Sequence, residues 1–233
     1  MLKFLNVTKI YYNKSNNSEE PVVALHNVTF EVHKGEFVCV VGKSGAGKST
    51  MVRLLIREEK PTKGGIFFDN QNICFLKGRK LQEVRRKIGV VYQDYKLLSN
   101  KTVEENLGYI MEVMGVSDET VQRDVKKVLE IVGIEKRCLH FPCELSSGEK
   151  QRLAIARALI HRPEMIVADE PTGNLDLYNT YEVINLFKQI NEMGTTVLLL
   201  THNKDVVEFL KKRVITLEQG RVISDDPKGK FIL

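Results

Sequence analysis

Residues 42–50 read GKSGAGKST. They fit G-x-x-x-x-G-K-(S/T), with Gly42, Gly47, Lys48 and Ser49 at the fixed positions. An apolar run, EFVCVV, precedes them, and KSTMVRLLIREE (48–59) follows with helical spacing, so the loop joins a strand to a helix. Glycines let backbone N–H groups turn inward around a polyphosphate, and the helix N-terminus adds partial positive charge. Lys48 has the length to reach the outer phosphates, and the Ser49 hydroxyl is a ligand for Mg²⁺. Lys43, Ser44, Gly45, Ala46 and Thr50 complete the expected phosphate-binding set. A buried strand must therefore deliver its carboxyl end to a helix start, which restricts the chain to α/β folds built on a phosphate loop.

The rest of the chain agrees. Strands are expected in LKFLNVTKIYY, VTFEVH, EFVCVVG and GIFFD, with NKSNNSEEP (13–21) a polar loop between the first two. After KIGVVYQ (87–93) the pattern turns helical, in TVEENLGYIMEVMG, DETVQRDVKKVLEIVG and the stretch opened by LSSGEKQR. Strand and helix then alternate through EMIVADE, TYEVINLFKQINEMG, TTVLLLTH and KDVVEFLKKR, and VITLEQGRVIS reads as a hairpin turning at Gln219-Gly220. Apolar strands flanked by helices are the pattern of a buried parallel sheet.

Length and composition narrow the class. With 233 residues, 42% apolar and 28% charged, the chain is long enough for a core of its own. The net charge of +5 is mild and spread out, so it gives no reason to expect a nucleic-acid partner. No apolar run approaches the ~18 residues of a membrane helix, and the start MLKFLNVTKIYYN lacks the features of a secretory leader. Cys39, Cys74, Cys138 and Cys143 have no zinc-type spacing and are expected to be reduced thiols.

Beside a phosphate loop, polar residues at strand ends acquire roles. MIVADEPT places Asp169 and Glu170 at the end of an apolar strand, where ligands bind in α/β sheets. Neighbouring side chains on extended chain diverge, so the two jobs separate. Asp169 is suited to hold Mg²⁺, directly or through water, and Glu170 to orient and deprotonate an attacking water. Gln93, after VVY, can touch the metal or that water, and His202, after VLLLT, can donate to the outermost phosphate. Tyr11 and Tyr12 are candidates to stack on an adenine ring, or to pack in a sheet. In LSSGEKQR, Ser146 and Glu149 have the S-x-x-E spacing of a capping box, which marks a helix start and an anion-attracting terminus.

Taken in order, an aromatic near Tyr11, the phosphate loop, Gln93, Leu145-Ser146-Ser147-Gly148-Glu149, Asp169-Glu170, GNLD at 173–176 and His202 resemble the nucleotide-binding subunit of ABC ATPases over nearly the full length. The resemblance implies a P-loop (RecA-like) core with an antiparallel β edge, over about 1–93 and 161–233. It also implies a helical signature subdomain over about 94–160. It implies hydrolysis of ATP with Mg²⁺, Tyr11 on the adenine, and a homodimer formed on ATP binding. Ser146, Ser147, Gly148 and Glu149 would meet the ATP of the partner chain, and Asp176 would lie in a dimer loop. The family signature usually reads L-S-G-G-Q; here Ser147 replaces the first glycine of the pair and Glu149 the glutamine.

Within that family, LKGRKLQEVRRKIGVVYQDYKLLSNKTVEENL and QGRVISDDPKGKF are similar to the cell-division branch. That likeness implies an FtsX-like transmembrane subunit, contacts with cytosolic division proteins, control of cell-wall hydrolysis, and a peripheral place on the cytoplasmic side of the membrane. The alternative is the ATPase subunit of a transporter, like methionine importers or lipoprotein and macrolide exporters. A small-molecule kinase would explain Lys48, Ser49 and Asp169 but not LSSGE, GNLD or His202. Chromosome-organising ABC ATPases carry long coiled coils, for which too little chain separates Ser49 from Asp169.

Overall fold

The alternation Leu2, Phe4 and Val7 along the first strand, interrupted by Asn6 in left-handed conformation, turns three apolar side chains to one buried face. The computed structural model describes residues 1–15 and 18–231. These form two compact units, Met1–Arg85 with Leu198–Leu233, and Arg86–Val197. Among the described residues no helix is long and apolar enough to cross a membrane.

In the first unit, β1 (Leu2–Ser15) pairs antiparallel with β2 (Ser18–Val32) and with β4 (Lys63–Phe68), and β4 carries the short β5 (Gln71–Asn72). Its inward face is Leu2, Phe4, Val7, Leu25, Val28, Phe30, Ile66 and Phe68, with the Phe4 and Phe30 rings stacked 4.8 Å apart. The polar segment 13–21, expected as a loop, instead extends the β1–β2 hairpin, with Tyr12 opposite Pro21; residues 16 and 17 lie outside the described residues. A strand on a hairpin tip needs backbone bonds but no apolar face, so the sequence there shows no alternation. Pro21 is tolerated because β2 is the edge of its sheet.

The second sheet of this unit runs β10 (Arg221–Asp226), β9 (Arg213–Glu218), β3 (Phe37–Val41), β8 (Thr196–Thr201). β3 and β9 are parallel, and β10 is the antiparallel edge. All of β3 and β8 is buried, as strands covered on both faces must be. Gln219 and Gly220, with φ of 45° and 73°, make the expected hairpin turn. α1 (Lys48–Leu55) ends before the expected residue 59. Arg57 takes a left-handed φ of 58° and its guanidinium donates to the Ile73 and Leu76 carbonyls, while Arg85 donates to the Ile56 carbonyl at 2.9 Å. Arg85 closes α2 (Gly78–Arg85), a helix the sequence pattern does not announce because it buries only Val84. α7 (Lys204–Leu210) follows β8.

In the second unit, β6 (Ile88–Val91) and β7 (Met165–Asp169) are parallel, with Ile88 opposite Met165 and Val91 opposite Ala168. Four helices accompany them: α3 (Val103–Val113), α4 (Asp118–Val132), α5 (Ser147–Leu159) and α6 (Leu177–Glu192). α5 is the centre of this unit, burying Leu153, Ala154, Ile155, Ala156 and Ala158. Asn106 is fully buried and its amide bonds Leu98, Lys101 and Thr102, which fixes the segment that leads from β6 into α3.

Candidate functional site

In the first unit, buried β3 stops at Val41 and the chain wraps through 42–47 into α1. Gly47 is the N-cap, with φ 106°; a Cβ there would lie 2.5 Å from the Ala24 carbonyl oxygen, so no other residue fits. The loop is tied in place from outside. The Gly220 N–H donates to the Ala46 carbonyl (3.2 Å), and the His26 N–H donates to the Gly220 carbonyl (2.8 Å). Lys48 is buried, and its Nζ donates to the Gly42 carbonyl (2.6 Å) and the Lys43 carbonyl (3.2 Å), so the ammonium lies across the loop it belongs to. Lys43, Ser44, Gly45 and Ser49 are exposed, Thr50 is half-buried, and Ala46 is buried. No carboxylate occupies the first turn of α1, so its N-terminal charge is uncompensated by side chains of that turn.

His202 is exposed at the end of β8, ahead of the Asn203 side chain that caps α7 by accepting from the Val206 N–H. Tyr11 is half-buried with Lys9 Nζ 4.6 Å from its ring centre, and Lys9 is held by Glu59 at 2.7 Å; Tyr12 is exposed.

In the second unit, β7 ends at Asp169 and the chain turns through Glu170, whose φ of 48° is left-handed. Non-glycine residues rarely sit there, and the strain is a mark of sites where a side chain must be aimed. The turn closes with the Gly173 N–H donating to the Glu170 carbonyl at 3.1 Å. Asn174 then donates from Nδ2 to the Gln93 carbonyl (3.0 Å), so Gln93, Glu170 and the GNLD loop are neighbours. The sequence pattern places Asn174 within GNLD but gives it no role of its own; its bond to the Gln93 carbonyl joins residues 81 apart in the chain.

Ser146 and Glu149 form the expected capping box of α5. The Glu149 N–H donates to Ser146 Oγ (3.2 Å), and the Ser146 N–H donates to Glu149 Oε2 (2.8 Å). Arg137 Nε adds a bond to Glu149 Oε1 at 2.7 Å. These bonds, the one from Ser146 first, hold the Glu149 carboxyl below the usual glutamate range. Ser147 is the first helical residue and is not among those with positive φ, so serine there carries no backbone strain. Gly148 is different: a Cβ would lie 2.5 Å from Asn179 Oδ1. Asn179 is gripped by Asp176, which accepts from its backbone N–H (2.8 Å) and its Nδ2 (2.6 Å) while capping α6. Asp176 and the glycine of the signature are thus linked through Asn179, a residue sequence reasoning missed.

A strand-borne phosphate loop, a strained acidic strand end and a capped serine–glycine helix start define a nucleotide-hydrolysing cassette. Residues 25–173 match the family described as ABC transporter, and the chain belongs to that family of ATPases. Within it, the chain is 43% identical to the cell division ATP-binding protein FtsE of Bacillus subtilis, over 99% of this chain and 98% of that one. It is 49% identical to FtsE of Streptococcus pneumoniae, over 89% and 90%. Matches to methionine import ATP-binding proteins of Bacillus cereus are weaker, at 38–40% identity. Among solved structures, the ATP-binding cassette MJ0796, described as dimeric, in a post-hydrolysis state and bound to ADP and Pi, superposes with a TM-score of 0.88. It is 36% identical, over 99% of this chain and 100% of that one.

Proposed function

We propose that the chain is the ATP-hydrolysing subunit of an FtsEX-like membrane complex, in which ATP-driven dimerisation acts on a transmembrane partner that regulates cell-wall hydrolysis during division. The observation that carries this reading is identity of 43–49% to curated FtsE proteins over 89–99% of the chain. By this reading the protein sits peripherally on the cytoplasmic side of the membrane, held by an FtsX-like subunit. Residues 1–93 and 161–233 act as nucleotide-binding core and 94–160 as signature subdomain.

Each residue's role follows from its chemistry. The backbone of 42–47 and Lys48 bind the phosphates, and Tyr11 is assigned to the adenine. Ser49, Gln93 and Asp169 offer hydroxyl, amide and carboxylate oxygens, the hard donors that suit Mg²⁺. When bound, the ion neutralises charge on the β- and γ-phosphate oxygens. Glu170 accepts the proton of the attacking water as its oxygen adds to the γ-phosphorus and the bond to ADP breaks; His202 donates to the γ-phosphate. Ser146 Oγ and the Gly148 N–H, at a helix start, bind the γ-phosphate held by the partner chain, and Asp176 lies at the dimer contact.

Glu170→Gln tests the assignment: ATP binding is retained, turnover falls by about a hundredfold or more, and an ATP-dependent dimer accumulates on size exclusion. A variant that hydrolyses ATP at the parent rate removes Glu170 from the mechanism. Co-purification from membranes with an FtsX-like subunit supports the division role, whereas a periplasmic solute-binding protein in the complex favours an importer.

A further inference from the structure

Just past Gln93 the backbone of the second unit turns left-handed at two successive residues, Tyr95 and Lys96, with φ of 59° and 53°. Among the described residues the one other such pair without glycine is Asp69-Asn70, residue types that enter this region more readily. Tyrosine and lysine gain nothing from it locally. The turn is closed by the Tyr95 N–H donating to the Tyr92 carbonyl (3.2 Å) and the Lys96 N–H donating to the Asp94 carbonyl (2.6 Å). Its carbonyls are held from outside. Arg157 Nη2 donates to the Tyr95 carbonyl at 2.8 Å, Arg157 Nη1 donates to the Lys96 carbonyl, and Asn174 holds the Gln93 carbonyl.

A basic residue in the last turn of α5 is favoured by the helix dipole, and an exposed lysine would serve that purpose as well. Arg157 does more. It is half-buried and forms no ion pair among the described residues. A charge drawn out of water needs hydrogen bonds in return. Those of Arg157 go to two successive carbonyls, 62 and 61 residues away in the chain. A planar guanidinium with donors in a fixed fork suits such a pair; an ammonium does not.

We propose that Arg157 is a positioning residue, which keeps the turn after Gln93 in its left-handed form and so sets where the Gln93 side chain is presented. α5 carries Ser147 at its start and Arg157 in its last turn, about 15 Å along one helix. One rod thus bears the Ser146–Gly148 terminus at one end and the grip on the Gln93 turn near the other. A phosphate seated on the terminus restrains the rod, and the rod restrains the turn. The consequence for turnover rests on the ATPase reading; the grip on the turn does not.

Hydrogen exchange on the nucleotide-free chain tests the grip. Arg157→Met, similar in length but without donors, should speed exchange over 92–97 about tenfold and leave α3 and β7 within about twofold. Turnover tests the consequence. Arg157→Met should lower kcat about tenfold and raise the Mg²⁺ concentration needed for half-maximal rate, with ATP affinity within about threefold. Arg157→Lys should recover only part of the loss. Lys96→Gly takes a φ of 53° without strain, and the exposed Asp94–Lys96 ion pair that it removes is weak. It should raise kcat of the Arg157→Met chain about threefold and leave that of the parent within about twofold. In a Gln93→Ala chain, adding Arg157→Met should cost less than about threefold more, because the turn then has no side chain to present. Where Arg157→Met does not fold, Arg157→Lys carries the same comparisons. Unchanged exchange over 92–97, no recovery by Lys96→Gly, or a full tenfold further loss in the Gln93→Ala chain overturns the proposal. Parent-rate turnover in Glu170→Gln strikes the ATPase assignment alone, and the exchange result still decides the role of Arg157.

Discussion

Glu170 is the residue where local energetics and the proposed chemistry pull in opposite directions. Its φ of 48° belongs to glycine or asparagine, and an acyclic acid held there costs on the order of 1 kcal/mol. Asparagine tolerates this conformation better. Glu170→Asn is therefore expected to raise the free energy of unfolding by up to about 1 kcal/mol in urea titrations while abolishing ATP turnover. A less stable variant would show that the turn does not strain the native residue. Ser147 presents the reverse case. Its departure from the usual glycine invites a search for strain, but the residue is the first of α5 and adopts helical backbone, so the serine needs no compensation.

At the scale of elements, the start of α5 is a structural cap, and the proposed function uses the same terminus to bind phosphate. Ser146→Ala should cost about 1 kcal/mol by removing the acceptor for the Glu149 N–H. The Glu149 carboxyl is held below its ordinary range by the Ser146 N–H and then Arg137, so its contribution to stability is full above the unfolded pKa of about 4.3. That contribution is lost as pH falls from there through the lower folded pKa. Thermal melts of Glu149→Gln should lose part of the parent's decline below about pH 4.3; an unchanged slope would mean the charge is not what the cap uses. The same scale shows why α1 stops at Leu55 although the apolar pattern runs on. Arg57 takes a left-handed φ, and Arg85, a long-range partner that local spacing does not reveal, donates to the Ile56 and Arg57 carbonyls that a further turn would have used.

At the scale of the whole chain, the buried strands report global unfolding. Cys39, in the middle of β3, is fully buried and its thiol is pushed up to about 12 by burial, while Cys143 is exposed. A thiol reagent at neutral pH should modify Cys143 at once and Cys39 only at the rate of global opening, with the denaturant dependence of unfolding. Cys39 labelling as fast as Cys143 would place β3 outside the stable core. Sequence alone determined the strand–loop–helix of 42–50, the strands that lead to Gln93, Asp169 and His202, the cap at Ser146 and the Gln219-Gly220 turn. Each is specified by neighbours in the chain through glycine geometry, helix capping or the burial of a short apolar strand. The tertiary structure decided what depends on distant partners. It extended the hairpin through 13–15 and 18–21, formed α2 on one buried valine, and aimed Glu170 through a left-handed backbone. It also set Asn179, held by Asp176, against Gly148 so closely that a Cβ there would lie 2.5 Å from Asn179 Oδ1, an approach of residues far apart in the chain that only packing makes.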